Sequence, residues 1–178
     1  PNKLHAPTRW PASDKLVDWH LTPKKPDWAG GLREAWTPGE GAARKRLNNF
    51  LRSGVATYHE RRDRPDLVGT SRLSPHLHHG EISPRQCWQR ARAIAEAHPE
   101  RARGVEVFLK ELLWREFAYH QLVQHPKLPD APCREAFADF PWKSNAKALR
   151  SWQRGLTGYP IVDAGMRQLW QTGWMHNR

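Results

Sequence analysis

The chain has 178 residues, a length typical of one domain, and carries 29 Lys and Arg against 18 Asp and Glu, a net charge of +11. This excess indicates a polyanionic partner, because cations pair with phosphates and release counterions; a generic basic surface is the alternative. No apolar run reaches the roughly 18 residues of a membrane span, and Cys87 and Cys133 lack metal-site spacing. We therefore expect a cytoplasmic protein with reduced thiols, no membrane partner and no metal.

The first 36 residues are predicted to form an extended connector. Several prolines and the Gly30-Gly31 pair interrupt any helical period there. Because the chain begins with Pro1 and not with a methionine, we expect it to be an excerpt of a longer protein. Residues 37–178 are predicted to be the first part of a separate, helical domain.

Capping signals and periodicity predict helices throughout that domain. Thr37-Pro38-Gly39-Glu40 is typical of an N-cap and capping box, and both Ser74-Pro75 and Ser83-Pro84 repeat the pattern. No segment shows the alternation of a strand, so the predicted fold class is all-α. Counted from their N-caps, the predicted helices cover residues 37–60, 74–79, 83–97, 102–125, 144–154 and 159–173.

The predicted helix 102–125 has two faces. Its apolar stripe holds Val105, Leu109, Leu112, Leu113, Tyr119 and Val123. Glu111 and Trp114 lie near the opposite side, with Arg115 at its edge. An acid, a large aromatic ring and a cation together could serve chemistry; the alternative is a second packed face with an i, i+4 pair between Glu111 and Arg115.

The turn from Thr70 to Ser74 combines hydroxyls, an arginine and free backbone N–H groups at a helix start. These donors suit a phosphate or diphosphate, although an ordinary Ser-Pro cap is the alternative. The nearby His76, His78 and His79 are interpreted as a solvated helix end and not as a metal site. Because no nucleophile elbow, Walker lysine or dinucleotide fingerprint occurs, we expect a cofactor to supply the chemistry.

Four blocks of the chain resemble the DNA photolyase and cryptochrome family in both order and spacing. The blocks are residues 69–85, 111–120, 141–170 and 172–178, among them GTSRLSPHLHHGEISPR, ELLWREFAYH and TGWMHNR. The resemblance implies a monomer with a helical domain that holds FAD in a folded shape beneath a DNA-facing cavity. It also implies an antenna chromophore, folate or deazaflavin, in a preceding domain absent here, and a further helical segment after residue 178.

The resemblance carries over to individual residues of two kinds of site. The residues expected to bind FAD are Tyr58, Thr70, Ser71, Arg72, Leu73, Ser74, Phe108, Arg115, Trp174 and Asn177. Those expected to bind DNA and the damaged bases are Arg62, Glu111, Trp114, Asn177 and Arg178. Glu111, Trp114 and Asn177 are also expected to take part in catalysis. Trp152 matches the outermost tryptophan of the family's flavin-reducing relay.

The implied activity is that of a carbon–carbon lyase, which repairs cyclobutane pyrimidine dimers in DNA by electron transfer from light-excited, reduced FAD. Two alternatives are a cryptochrome-type blue-light photoreceptor and a cofactor-free basic nucleic-acid-binding module. Asn177 argues against the photoreceptor, because plant cryptochromes usually carry an acid at that position, and the Glu111–Trp114 pair argues the same way. The hydroxyl-rich turn argues against the cofactor-free module. Activity of the excerpt alone stays open.

Overall fold

The computed structural model describes residues 7–22 and 24–178, and these contain no strand, which confirms the all-α prediction. Residues 1–6 and 23 of the predicted connector lie outside the described residues. No helix in the described part is long and apolar enough to cross a membrane. The α-helices are α1 (Gly30–Ala35), α2 (Glu40–Asn49), α3 (Tyr58–Arg61), α4 (Ser74–His78), α5 (Pro84–Ala97), α6 (Ala102–Gln124), α7 (Ala146–Gln153) and α8 (Pro160–Thr172).

The bounds of the later helices agree closely with the sequence prediction. Helix α5 begins with the predicted capping box: the Gln86 N–H donates to Ser83 Oγ at 3.1 Å, and the Ser83 N–H donates to Gln86 Oε1 at 2.9 Å. Helix α8 ends at Gly173, whose φ of 68° lies in the left-handed region that glycine adopts without strain. Local signals were therefore sufficient where a helix carries its own caps.

The single helix predicted from Thr37 to about Glu60 is wrong. Gly39 is the N-cap, and its N–H donates to Glu81 Oε1 at 2.7 Å, so a distant side chain caps the helix in place of Thr37. Helix α2 gives way to one π-helical turn, Phe50–Gly54, before α3 begins. The break lets the backbone press against α6, where a Cβ on Gly104 would meet the Val55 carbonyl oxygen at 1.7 Å. This tertiary contact leaves no mark on periodicity.

The extended conformation predicted for the first 36 residues is wrong for residues 30–35, because they form α1 and pack against α8. A Cβ on Gly31 would meet the Gln171 carbonyl oxygen at 2.1 Å, so the close approach of the two helices requires glycine. The adjoining Trp36 donates its indole N–H to the Thr172 carbonyl oxygen at 2.6 Å. This docking joins the early part of the chain to the end of α8.

The core lies between α2, the π-helical turn, α3, α5 and α6. Its buried residues are Ala43, Leu47, Phe50, Leu51, Val55, Tyr58, Leu73, Ile82, Cys87, Ala91, Val105, Phe108, Leu109 and Leu112. On α6, burial ends at Leu112, and the later members of its predicted stripe, Leu113, Tyr119 and Val123, are exposed. Helices α3 and α5 provide the main packing against α6, so the apolar stripe extends farther than the surface that buries it.

Candidate functional site

A cavity of about 660 Å³ opens beside the predicted phosphate-binding turn. Thr70 and Ser71 line one wall, and α2 with its π-helical turn lines the other. Arg72, the next residue, has a φ of 51° in the left-handed region. The cavity is lined by Thr37, Gly41, Ala42, Lys45, Arg46, Asn49, Phe50, Ser53, Gly54, Val68, Thr70, Ser71 and His76.

The cations around this cavity lack acidic partners. We call Lys45, Arg46, Thr70, Ser71 and Arg72 the cradle. In the described part of the chain, none of its three cations forms an ion pair with a carboxylate. Burial and the neighbouring charge of Arg72 lower the pKa of Arg46. A desolvated cation beside a second cation favours an anion between them.

Two buried nitrogen atoms, Arg72 Nε in the cradle and His76 Nε2 beside it, find no hydrogen-bond partner among the described residues. The Arg72 guanidinium lies 4.7 Å from the centre of the Trp174 ring, which fixes its position by a cation–π contact. Buried polar atoms ordinarily find partners, so an unpaired guanidinium N–H and an unpaired imidazole nitrogen at a cationic cavity indicate a polar ligand. The cradle therefore fits the diphosphate of a dinucleotide cofactor.

The sequence did not single out Lys45, Arg46 or His76 for the cavity. His76 is only 2% exposed, and its Nδ1 lies 2.5 Å from Glu81 Oε2, so the interpretation of this residue as part of a solvated helix end is wrong. His78 and His79 are exposed, as expected. The recurrence of Lys45, Asn49 and Ser53 at helical spacing was the available signal, because it places polar groups on one face of α2 and of the π-helical turn that follows it.

Three of the residues expected to bind FAD lie in the core. Tyr58, Leu73 and Phe108 are buried, and the rings of Tyr58 and Phe108 are 6.0 Å apart in an edge-on arrangement. Burial raises the pKa of Tyr58 to about 12. Ser74 is exposed as the first residue of α4 and makes no capping hydrogen bond, so the alternative of an ordinary Ser-Pro cap is wrong.

A second group of site residues surrounds the outer face of α6. We call Arg62, Asp63, Glu111, Trp114 and Arg178 the charged face. Arg62 Nη1 bonds Glu111 Oε1, and the same guanidinium reaches Asp63 with its Nε 3.4 Å from Oδ1. Arg178 Nε donates to that Oδ1 at 2.7 Å. Trp114 is 63% exposed and meets Phe117 edge-on, so its ring remains open to solvent.

Arg115 faces neither the cradle nor Glu111. Its Nη1 bonds Glu116, and its guanidinium lies 4.8 Å from the centre of the Tyr119 ring. The Glu111–Arg115 pair offered as an alternative for this helix is therefore wrong, because Glu111 pairs with Arg62 across to α3 instead. Tertiary packing brings Arg62 within reach of Glu111, so Glu111 pairs with Arg62 although Arg115 lies one helical turn away.

The remaining expected site residues meet at another cavity, of about 550 Å³, which Trp152, Asn177 and Arg178 line together with the exposed side of α8. Asn177 is exposed and belongs to the segment after Gly173. Neither Trp152 nor Asn177 lines the cavity of the cradle. Arg178 thus belongs both to this cavity and to the charged face.

The sequence is similar to proteins of a known family. Residues 108–178 match the FAD binding domain of DNA photolyase. A deoxyribodipyrimidine photo-lyase of Agrobacterium fabrum is 46% identical over 178 residues, covering 100% of this chain and 37% of that protein. Cryptochrome-1 of Arabidopsis thaliana is 38% identical over 152 residues, covering 83% of this chain and 22% of the other.

A solved structure agrees over the whole chain. The crystal structure of a bacterial class III photolyase from Agrobacterium tumefaciens superposes with a TM-score of 0.88 and 47% identity, covering 100% of this chain and 36% of that one. The fold is that of the helical, FAD-binding domain of DNA photolyase. The chain belongs to the DNA photolyase and cryptochrome family, which confirms the resemblance seen in the sequence, and FAD is confirmed as the cofactor of the matched domain. It spans about a third of the length of the photolyases that it matches.

Proposed function

We propose that this chain serves light-driven repair of cyclobutane pyrimidine dimers in DNA, as the FAD-binding part of a deoxyribodipyrimidine photo-lyase. One observation carries the proposal: a cradle of unpaired cations and a charged face with an open tryptophan occur in one helical domain. The similarity to photolyases over the whole chain supports the same function. The proposal includes that the protein is cytoplasmic and monomeric.

In the cradle, the chain's own residues hold the cofactor. Thr70 and Ser71 offer hydroxyl and backbone donors to the diphosphate, Lys45 and Arg46 offset its charge, and Arg72 is held over Trp174 to donate from its unpaired Nε. The chemistry supplied by bound reduced FAD is a blue-light-driven electron donation that splits the cyclobutane ring and returns the electron without net redox change. Trp152 would help to reduce the flavin from the surface.

On the charged face, the residues recognise the lesion. Trp114 offers an exposed ring on which flipped-out pyrimidines stack, and Glu111 offers a carboxylate for their base edges. Arg62 and Arg178 hold the phosphate backbone beside it, with Asn177 on the neighbouring segment. Flipping the dimer out of the helix costs less than flipping intact bases, because a dimer is poorly stacked and paired.

A cryptochrome-type photoreceptor is the second candidate, favoured by the 38% identity to cryptochrome-1. The two functions share a fold and cofactor, so a repair assay separates them. We expect the protein extended to the length of its photolyase relatives, called the full-length protein below, to bind FAD and to repair a thymine-dimer oligonucleotide under blue light but not in the dark. The recovery of absorbance at the thymine band measures the extent of repair. Bound, reduced flavin without light-dependent repair would favour the photoreceptor.

A further inference from the structure

The charged face is a chain of alternating charges in which one carboxylate has no part in the proposed chemistry. Glu111 on α6 pairs with Arg62, Arg62 reaches Asp63, and Asp63 pairs with Arg178. The four residues come from three separate parts of the sequence. Asp63 pairs with both of the arginines that are expected to bind DNA.

Asp63 neutralises these arginines at the surface where DNA would meet them. The Asp63 side chain is 53% exposed, that of Arg178 is exposed to a similar extent, and that of Arg62 is largely buried. The hydrogen bond from Arg178, followed by the nearby charges of Arg178 and Arg62, lowers the pKa of Asp63, so the carboxylate is ionised at neutral pH. A phosphate that approaches either arginine therefore meets a negative charge beside it.

Such a placement opposes undamaged DNA more than damaged DNA. An intact duplex offers phosphates and little else, so its binding depends on how freely the arginines are available. A dimer engages Glu111 with its base edges as it stacks on Trp114, which leaves Arg62 with one carboxylate partner in place of two, so Arg62 reaches a phosphate while Asp63 stays paired. Undamaged DNA leaves Glu111 on Arg62, so it gains contacts to the arginines only by separating them from Asp63. A like charge placed against the wrong ligand raises specificity without improving contacts to the right one.

We propose that Asp63 is a specificity-determining residue, which holds Arg62 and Arg178 paired so that DNA without a lesion gains little from them. This inference rests on the proposed function. Asp66 provides a matched control three residues away. It is an exposed carboxylate in the same loop, and its one ion-pair partner among the described residues is Arg64, through bonds of 2.8 and 2.6 Å. Substituting either residue by asparagine removes the same charge.

The experiment measures the affinity of the full-length, FAD-loaded protein for a thymine-dimer duplex and for the same duplex undamaged, over a salt series. We expect Asp63→Asn to bind undamaged DNA about 3- to 10-fold more tightly, with less than a twofold change for the dimer. The slope of log affinity against log salt for undamaged DNA should become more negative by about one, as for one additional phosphate contact. Asp66→Asn should change both affinities by the same factor.

Each outcome bears on one proposal. If Asp63→Asn changes the affinities for the two DNAs by the same factor, as the Asp66 control does, the preference for the dimer is unchanged. Asp63 is then an ordinary surface charge, and the inference falls. Should the asparagine variant fold poorly by thermal unfolding, Asp63→Ser gives the same comparison. If the unmodified protein already binds both DNAs equally, the proposed repair function fails instead.

Discussion

The cradle and the charged face both contain arginines, but these cations are paired in one region and unpaired in the other within the part of the chain that the structure describes. Lys45, Arg46 and Arg72 have no carboxylate partner in the described part of the chain. Arg62 and Arg178 are paired with carboxylates before any ligand arrives. A site that keeps its ligand can leave charge unbalanced, because the ligand completes it.

A site that must release its ligand is more stable in the free protein when carboxylates of the same chain pair with its cations. In the proposed function, the carboxylates of the charged face remain beside the arginines when DNA leaves, so no cation is left without a partner. The cradle has no such replacement, and its buried Arg72 Nε would stay unpaired without an anion. The comparison therefore predicts tight, lasting binding at one region and selective, salt-sensitive binding at the other.

The largest expected effect breaks the cradle. Replacing Ser71 and Arg72 together by alanine should weaken FAD binding by the full-length protein by about 100-fold or more, because charge-assisted hydrogen bonds contribute roughly 1.5–3 kcal/mol each. Equilibrium flavin titration measures the change. Arg64→Ala is the control, since Arg64 is exposed and pairs only with Asp66. Unchanged flavin affinity in the double variant would remove the cradle from the cofactor site.

A second variant tests the open ring of the charged face. Trp114→Ala should weaken binding to dimer-containing DNA about 5- to 150-fold, because stacking of a base on an aromatic ring contributes about 1–3 kcal/mol. Affinity for undamaged DNA, flavin content and thermal stability should hardly change. Trp170, which is 86% exposed on α8, gives the matched Trp170→Ala control.

The outcome for Trp114 distinguishes a stacking role from a packing role. Truncation of a buried tryptophan would cost roughly 3–5 kcal/mol of stability. If Trp114→Ala lowers the unfolding temperature or the flavin content while its folded fraction binds the dimer normally, the residue supports the core. The charged face would then lack its proposed stacking surface.

The smallest expected effect tests which residues of α2 belong to the cradle. Lys45→Met should weaken FAD binding about fivefold, since one partly exposed charge contact contributes about 1 kcal/mol or less. The neighbouring Arg44 is exposed and lies near Glu40, so Arg44→Met removes an equal charge outside the cavity. Flavin titration of the two variants side by side compares them. Equal losses would mean that general charge, and not the cavity wall, attracts the cofactor.

The sequence by itself determined the all-α fold, most helix bounds and the hydroxyl-rich turn, because these depend on local signals. The capping box of Ser83 and Gln86 and the glycine that ends α8 act within a few residues of the helix ends that they define. The exposure of Trp114 also followed from its place on α6, opposite the apolar stripe. The family followed from motifs, which no calculation of periodicity would supply.

Only the tertiary structure decided which distant groups meet. It broke the helix predicted over residues 37–60, because the backbone at Val55 packs against Gly104, and it replaced the Thr37 cap by Glu81. It paired Glu111 with Arg62 and not with Arg115, and it buried His76 beside the cradle. These outcomes depend on contacts between residues far apart in the chain, and neither residue type nor helical spacing encodes such contacts.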